Sequence, residues 1–334
     1  MLWSLLPPSY LLKLSLSGSL LGLLSPLPLL PMLQPQPQLL WNALAQNQRD
    51  RQQQRPTTYN KTALKYLFGQ QISTLNQQVP PLNQHLPYHQ PTKNRLRLIT
   101  YNVHDFKDPL GQPSFWQIYD TLATVNPDVI LLQEANYDDI FLHGQLRRRF
   151  QKLGYVAASF VGGSRPGSHF GNCIISKYHF ACHPYKRNFQ ADQQQAQQRA
   201  LVKIELDLSA WRQPNLAIYN THLEVTNAAQ RLAEAQELSQ LIHHYDQHKN
   251  VIVGADFNEN GSGQALQFLG RQQLRDTFTQ AGLPLPYFTH WSGQTLDYLL
   301  LKSAHRAAAP RVTGSYVYYT AASDHLPVIT DLAF

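Results

Sequence analysis

From Arg95 to the last residue, the amino-acid sequence predicts an α/β domain in the form of a four-layer sandwich: two mixed β-sheets packed together, with helices on the outside. Two observations lead to this prediction. Short apolar runs of strand length alternate with segments whose apolar residues recur at helical spacing, and these strands fall into two series that are each flanked by helices. A segment of about 240 residues is also long enough to bury a sizeable core.

The first half of the predicted domain begins with RLRLITYN, whose alternating apolar and polar residues indicate a strand that ends at Asn102. FWQIYDTLATVNPD has helical spacing and stops at a proline. DVILLQEA is a continuous apolar run that ends at Glu134, typical of a strand buried on both faces. A helix is expected over residues 138–154, with Arg147–Arg149 as its solvated end. Three strands follow over YVAASFVG, GNCIISKY and RALVKIELDL.

The second half repeats this alternation. NLAIYNTHLEV predicts a strand, and a segment with helical spacing follows through about residue 247. NVIVGADFN predicts a buried strand, after which a single helix is expected to about Gly282. Strands over TLDYLLLK, RVTGSYVYY and LPVITDLAF complete the domain.

Residues 1–94 differ from the domain in composition. Residues 1–33 are mostly Leu, Ser and Pro with one charged side chain, Lys13, whereas residues 34–94 are rich in Gln and Pro and indicate a basic linker with a short helix over Lys61–Leu75. A signal peptide, a membrane anchor, an organelle-targeting presequence or a leader without a targeting role would each explain the first segment. A secreted or membrane-anchored protein is favoured, with an organelle or the cytoplasm as the alternatives. The leader is a candidate for membrane contact.

Charge and cysteine content limit the functions that this sequence can have. The first 95 residues hold eight of the 28 Lys and Arg residues and one of the 21 acidic residues, so they carry the whole net charge of +7. The remaining chain is neutral, and bulk charge gives no argument that the domain binds nucleic acid. Two cysteines exclude a disulfide framework and a zinc cluster, and we expect both Cys173 and Cys182 to be small buried hydrophobes.

Five of the predicted strands have a carboxylate, amide or imidazole side chain at one end. These groups are Asn102, Glu134, Asn220 with His222, Asp256 with Asn258, and Asp324 with His325. Any one of them could cap a turn, the usual role of Asn and Asp at strand ends. Five together indicate a site, because ligands of α/β sheets bind beyond the strand ends, where loops present polar groups over a rigid scaffold. An adjacent carboxylate and imidazole there suit acid–base chemistry near a metal ion.

Six motifs carry a resemblance to a known family. YNVH, LLQEAN, NTHLE, GADFN, TLDYLLL and SDHLPV occur in this order from about Arg95 onward. As a set they resemble the endonuclease/exonuclease/phosphatase superfamily of metal-dependent phosphoesterases, and the leader and linker fall outside the resemblance. The resemblance implies a hydrolase that acts on phosphoester bonds with Mg²⁺, or alternatively Mn²⁺, as cofactor.

The resemblance also implies which residues lie near the metal and the phosphate. Asn102 and Glu134 match the positions beside the metal, with Glu134 as the principal Mg²⁺ ligand. Oxygen donors of this kind suit a hard cation that keeps several waters. Asp324 matches the acid on the metal side or the water side of the final motif. Asn220 and Arg199 are assigned to the phosphate-binding part of the site.

The catalytic residues are implied in the same way. His222 matches the group that hydrogen-bonds the phosphoryl oxygens and is a candidate to assist protonation of the leaving group. Asp256 with Asn258 matches the pair that orients the attacking water and holds the phosphate. Asp297 matches the carboxylate that fixes the tautomer of His325, which is the expected general base.

The motifs are less specific about the substrate. A nuclease or another nucleic-acid phosphodiesterase, acting as an endonuclease or an exonuclease, is favoured by the breadth of the superfamily. A phospholipid or sugar-phosphate phosphoesterase is the alternative, which the apolar leader would suit if it attaches the protein to a membrane. An inactive binding protein is a remote third hypothesis, because every expected catalytic position holds a competent residue. The sequence indicates no protein partner.

Overall fold

The computed structural model describes residues 86–138, 140, 145–162, 170–190, 199–283, 288–304 and 309–334. The predicted leader, the helix expected over Lys61–Leu75 and all but the end of the predicted linker lie outside these residues. No helix in the described part of the chain is long and apolar enough to cross a membrane.

Strands and helices follow the order expected from the sequence, with a few local differences. The strands are β1 (Arg95–Asn102), β2 (Val129–Asn136), β3 (Ala157–Gly162), β4 (Phe170–Ser176), β5 (Tyr185–Asn188), β6 (Ala200–Leu206), β7 (Leu216–His222), β8 (Asn250–Asp256), β9 (Arg275–Asp276), β10 (Asp297–Lys302), β11 (Arg311–Val317) and β12 (Val328–Ala333). The α-helices are α1 (Phe115–Val125), α2 (Gln145–Lys152), α3 (Ala228–Asp246), α4 (Gln264–Arg271) and α5 (Thr277–Gln280). Two short 3-10 helices span His104–Phe106 and Ser209–Trp211.

These strands form two mixed sheets of six strands each. The order is β11-β12-β1-β2-β4-β3 in the first sheet and β5-β6-β7-β8-β10-β9 in the second. Each sheet has a parallel pair at its centre, β1 with β2 and β7 with β8. The other neighbours run antiparallel. The predicted α/β sandwich of two mixed sheets is confirmed.

The parallel pairs explain why the polar groups gather at one edge. Parallel neighbours end at the same edge of a sheet, which brings Asn102 close to Glu134 in the first sheet and His222 opposite Asp256 in the second. An antiparallel neighbour presents its first residue at that edge, and Asp297 at the start of β10 is therefore paired with Asp256. The segment before β12 reaches the same edge, because β12 is antiparallel to β1.

Aliphatic side chains fill the space between the sheets. Along β1, alternate residues point to opposite faces, so Leu98 packs between the sheets whereas Ile99 packs on the outer face with α1. The inner cluster includes Leu98, Leu131, Ile218, Ile252 and Leu299, all fully buried. Each such side chain contributes about 1.5–3 kcal/mol relative to an exposed one. This core fixes the position of the polar residues at the strand ends of the first sheet relative to those of the second sheet.

The helix expected up to about Gly282 is two helices. α4 ends shortly before Gln273, which adopts a left-handed conformation with a φ of 70°. β9 then pairs with β10. A new helix, α5, begins because the carboxylate of Asp276 accepts a hydrogen bond of 3.1 Å from the backbone N of Phe278. Helical spacing alone does not reveal such a break.

Two further local features differ from the prediction. Cys173 is buried in β4 as expected, but Cys182 is exposed. β5 lies at the edge of the second sheet and was not expected, because its YKRN sequence contains no apolar run.

The end of the predicted linker packs against the domain. His89 Nε2 donates to Asp128 Oδ2 at 2.7 Å, and Asn126 Nδ2 donates to the His89 carbonyl at 3.2 Å. Arg97 Nη2 donates to the Pro87 carbonyl at 2.9 Å. Residues 86–94 therefore form part of the packed unit, although the sequence assigns them to the linker. Side-chain hydrogen bonds hold this stretch, and it has no apolar periodicity that would predict the packing.

Candidate active site

A single amide joins the two sheets at the polar edge. Asn102 Nδ2 donates hydrogen bonds to Glu134 Oε1 at 3.2 Å and to Asp256 Oδ2 at 2.9 Å. Its Oδ1 accepts from the backbone N of His104 at 3.0 Å, which fixes the orientation of the amide. Asn102 is buried and ties the carboxylate of the first sheet to that of the second.

A backbone irregularity directs Glu134 into the crevice. Its φ is 53°, and the pairing of β2 with β4 shifts in register around it. The strand continues to Asn136, whereas the sequence predicts that it ends at Glu134. A left-handed conformation at a residue other than glycine costs about 1–3 kcal/mol, and such residues cluster at active sites. Burial raises the pKa of Glu134, and the negative charges of Asp256 and Asp324 add to the shift.

Asp297 and His325 form a buried pair. His325 Nδ1 lies 2.8 Å from Asp297 Oδ2, which also accepts from Thr289 Oγ1 at 2.6 Å. The carboxylate places a proton on Nδ1 and leaves Nε2 facing the crevice, 3.6 Å from Asp256 Oδ2. Burial favours the neutral ring, but the negative charges of Asp297, Asp256 and Asp324 outweigh it and raise the pKa of His325 well above its ordinary value.

His222 approaches the same Asp256 oxygen from the second sheet. Its Nε2 accepts from Asn258 Nδ2 at 2.8 Å and lies 3.4 Å from Asp256 Oδ2. The ring proton of the neutral form is therefore on Nδ1, which lies 3.9 Å from Glu134 Oε1. Burial lowers the pKa of His222 well below its ordinary value, and the positive charge of Arg199 adds to the effect. The two imidazoles of the crevice thus favour opposite protonation states.

The turn after β8 fixes Asp256 and Asn258. Asn258 has a φ of 53°, and its backbone N donates to Asp256 Oδ1 at 2.9 Å. Its Nδ2 also donates to the carbonyl of Leu223 at 2.9 Å, which sets the orientation of the amide. Burial is the largest cause that raises the pKa of Asp256 to about 6. This carboxyl group can therefore exchange a proton close to neutral pH.

Asp324 lies between two histidines to which the sequence assigns no role. His104 Nδ1 is 3.5 Å from its Oδ1, and His290 Nε2 is 3.8 Å from its Oδ2. Burial opposes ionisation, but the imidazoles of His290, His325 and His104 lower the pKa of Asp324 below its ordinary value. His104 belongs to the YNVH motif and follows the end of a predicted strand, so its position in the sequence could have predicted that it lies at the site. His290 lies in a loop without periodicity, and no spacing in the sequence predicts its position.

Asn220 does not reach the crevice, although it is predicted to bind phosphate. Its Nδ2 donates to the carbonyls of Leu132 and Cys173, both at 2.8 Å, and its Oδ1 accepts from Gln133 Nε2 at 2.6 Å. The side chain is fully buried. These bonds occupy both amide hydrogens, so Asn220 bridges the two sheets behind the site and is not placed to contact a substrate.

Arg199 belongs to a buried charged group behind His222. Its Nε lies 3.8 Å from Glu224 Oε2, and this nitrogen has no hydrogen-bond partner among the described residues. The backbone N of Glu224 donates to Glu234 Oε2 at 2.8 Å. Burial is the largest cause that raises the pKa of Glu234 to about 7. In this arrangement Arg199 acts on His222 through its charge, and its contact with phosphate stays a prediction.

The variant Glu234→Gln should have a weaker pH dependence of stability than the wild type. The folded-state pKa of about 7 lies above the ordinary value of 4.5, so the folded protein binds this proton more tightly. The stability that Glu234 contributes is therefore complete below the ordinary pKa and is lost as the pH rises through the folded-state pKa. Between about pH 5 and about pH 8, we expect the unfolding free energy of the wild type to fall by on the order of 1–3 kcal/mol more than that of the variant.

Urea unfolding of both proteins at the two pH values measures this difference. Glu237→Gln, on the same helix, is the matched control and should follow the wild type. Parallel pH profiles for wild type and Glu234→Gln would contradict the prediction.

The donor set fits a hard divalent cation. Glu134 and Asp324 have side chains that are 23% and 27% exposed at the crevice, and Asn102 and Asp256 lie beside them. Carboxylates gathered in this way repel one another unless a positive charge balances them, and oxygen donors match the preference of Mg²⁺ and Mn²⁺. The ligand atoms of His290, Asp324 and His325 also lie within 4.8 Å of one another.

Carboxylates, amides and imidazoles gather at one edge of a two-sheet α/β sandwich, which is the arrangement expected of a hydrolytic phosphoesterase. A family model described as the Endonuclease/Exonuclease/phosphatase family matches residues 99–325, more than half of the chain. The chain therefore belongs to the endonuclease/exonuclease/phosphatase family.

Several solved structures share this fold. An endonuclease/exonuclease/phosphatase from Beutenbergia cavernae is 22% identical, with a TM-score of 0.58 and 72% of each chain covered. The human Nocturnin catalytic domain with bound sulfate is 18% identical, with a TM-score of 0.57 and coverage of 72% of this chain and 94% of that one. Mannosyl-6-phosphatase from Bacteroides thetaiotaomicron is 14% identical, with a TM-score of 0.56 and coverage of 72% and 100%. No curated protein matches the chain significantly in sequence.

Proposed function

We propose that the protein is a Mg²⁺-dependent hydrolase that cleaves a phosphodiester by in-line attack of water, with nucleic acid as the favoured substrate. The observation that carries this proposal is the approach of two imidazoles to one carboxylate oxygen. His325 Nε2 and His222 Nε2 lie 3.6 Å and 3.4 Å from Asp256 Oδ2. One small volume thus contains a base for water and donors for the phosphoryl oxygens.

The catalytic roles follow from the tautomers and charges. His325 accepts the proton of the attacking water at Nε2, while Asp297 holds the proton on Nδ1. Asp256 orients that water, and Asn258 keeps both Asp256 and His222 in place. The Nδ1–H of neutral His222 donates to a phosphoryl oxygen as negative charge builds there. As the bond from water to phosphorus forms, the bond from phosphorus to the leaving oxygen breaks, and that oxygen takes a proton from His222 Nδ1 or from solvent water.

Glu134 and Asp324 would hold a divalent cation, which would supply positive charge for the phosphoryl oxygens and offset the carboxylate charges that favour protonation of His325. The raised pKa of His325 otherwise favours the imidazolium, which has no lone pair to accept a proton.

The preference for nucleic acid rests on the family, whose description names endonucleases and exonucleases. The sulfate in the human Nocturnin structure is a tetrahedral anion of the size of phosphate, which supports an anion site in this fold. Two observations support the alternative, a phospholipid or sugar-phosphate phosphoesterase. A fold relative is a mannosyl-6-phosphatase, and the apolar residues 1–33 would suit an enzyme that acts on phospholipid at a membrane.

A parallel assay separates these substrates. The protein is incubated with plasmid DNA, single-stranded RNA, sphingomyelin vesicles and a hexose 6-phosphate, each with Mg²⁺ and with a chelator. We expect cleavage of DNA or RNA that the chelator abolishes, and His325→Asn prepared in the same way controls for contaminating nucleases. Hydrolysis of only sphingomyelin or the sugar phosphate would favour the alternative. Silence in all four assays would favour a binding protein over an enzyme.

A further inference from the structure

The loop that carries His290 is built into the framework of the catalytic pair. The side chain of Thr289 donates to Asp297 Oδ2 at 2.6 Å, and its carbonyl accepts from the backbone N of Leu326 at 2.5 Å. His290 itself pairs with His325 in an isolated antiparallel bridge. The position of His290 relative to His325 is therefore set by backbone hydrogen bonds.

The ring of His290 presents an N–H to the crevice. The backbone N of Ser292 donates to His290 Nδ1 at 3.0 Å, and Ser292 Oγ lies 2.7 Å from the same atom. Because Nδ1 accepts from the backbone N of Ser292, the proton of the neutral ring is on Nε2. The hydroxyl of Ser292 also lies 3.2 Å from Gln294 Oε1, so the tautomer rests on the backbone donor. That atom is 3.8 Å from Asp324 Oδ2, which is longer than a hydrogen bond. The N–H thus remains able to bind a group that enters beside Asp324.

The ring of His290 also borders the volume beside His325 in which the phosphate of a substrate would lie. The ring centroids of His290 and His325 are 4.6 Å apart. The side chain of His290 is 22% exposed and that of Asp324 is 27% exposed, so solvent reaches both members of this pair. A phosphate that accepts water activated by His325 would have a non-bridging oxygen within reach of His290 Nε2.

We propose that His290 is a substrate-binding residue that donates a hydrogen bond from Nε2 to a non-bridging oxygen of the bound phosphate. This inference rests on the proposed function and extends it, because it adds a third histidine to His222 and His325. His290 binds the phosphate in the ground state and in the transition state alike, since the oxygen that it contacts carries charge in both. Uniform binding of this kind appears in KM and leaves kcat largely unchanged.

Three variants test this role. His290→Phe keeps a ring packed on His325 but has no donor, His290→Gln keeps a donor, and His183→Phe changes an exposed histidine elsewhere. We expect His290→Phe to raise KM for bis(p-nitrophenyl) phosphate and the inhibition constant of inorganic phosphate by about 10- to 100-fold, with kcat changed by less than about 3-fold. His290→Gln should recover part of the loss, and His183→Phe should match the wild type.

A second measurement separates substrate binding from support of Asp324. Mg²⁺ is titrated alone into wild type and His290→Phe, and equal affinities are expected if His290 contacts the substrate. A weaker Mg²⁺ affinity with an unchanged inhibition constant for phosphate would overturn the inference and make His290 a positioning residue for Asp324.

Binding of inorganic phosphate in the presence of Mg²⁺ tests the inference without turnover. Wild-type protein that binds phosphate no better than His290→Phe removes the inference alone. Wild-type protein that neither hydrolyses a phosphoester nor binds phosphate removes the proposed function together with it.

Discussion

Replacement of His325 by asparagine should lower turnover by about 10²–10⁴-fold, the usual contribution of a positioned general base. His325 is the imidazole whose free Nε2 faces Asp256 across the crevice, at 3.6 Å. Asparagine has no basic nitrogen, but its amide can still donate to Asp297, which is completely buried. The loss should therefore fall on kcat, measured with any phosphoester that the wild type accepts.

Alanine at the same position gives a useful contrast. It leaves the Asp297 carboxylate with Thr289 Oγ1 as its remaining hydrogen-bond partner among the described side chains. A buried carboxylate that loses its imidazole partner is destabilising, so His325→Ala should unfold at a lower urea concentration than His325→Asn. His183→Ala, at an exposed site, is the control for both. Full hydrolysis by a folded His325→Asn variant would remove His325 from the mechanism.

Replacement of Glu134 by glutamine should abolish most Mg²⁺ binding and lower kcat by about 10²–10³-fold, because a bound cation stabilises transition-state charge by several kcal/mol. Glu134 is partly exposed at the crevice, and its backbone is held in a left-handed conformation. Glutamine keeps the size of the side chain and can still bond to Asn102. Calorimetric titration with Mg²⁺ and steady-state kinetics measure the two effects.

The stability of metal-free Glu134→Gln should not fall with its activity. Burial and two neighbouring carboxylates raise the pKa of Glu134, so its negative charge is unfavourable in the metal-free protein. Glu134→Gln removes that charge, and the metal-free variant should be at least as stable to urea as the wild type at neutral pH. Glu237→Gln, on α3, is the control. Unchanged Mg²⁺ affinity in Glu134→Gln would show that the cation is bound elsewhere.

Much of the fold could be predicted because the strands of the parallel pairs have a strong local signal. β2 and β8 are buried on both faces, which makes each a continuous apolar run. Elements without such a signal were missed. The edge strand β5 has the sequence YKRN, which contains no apolar run, and the break between α4 and α5 depends on one left-handed residue, Gln273.

Most residues of the candidate site could also be predicted from the sequence. Polar residues after buried strands stand out in the sequence, and Asn102, Glu134, His222, Asp256, Asn258, Asp297, Asp324 and His325 do lie at one edge of the sandwich. Asn220 has the same kind of signal, yet it faces the space between the sheets. A period of two places Asn220 and His222 on the same face of β7, and only the neighbouring sheet decides which of them reaches the crevice.

The sequence by itself determined the strand and helix pattern, the family and the residue types available for catalysis, because these depend on local spacing and on motifs. The tertiary structure decided which of those residues meet, which tautomer each histidine holds and which carboxylates are forced together. It alone brought His290 and His104 to Asp324, residues that are far apart along the chain. The physical reason is that protonation and hydrogen bonding depend on distance and burial in space, which only the packing of two sheets establishes.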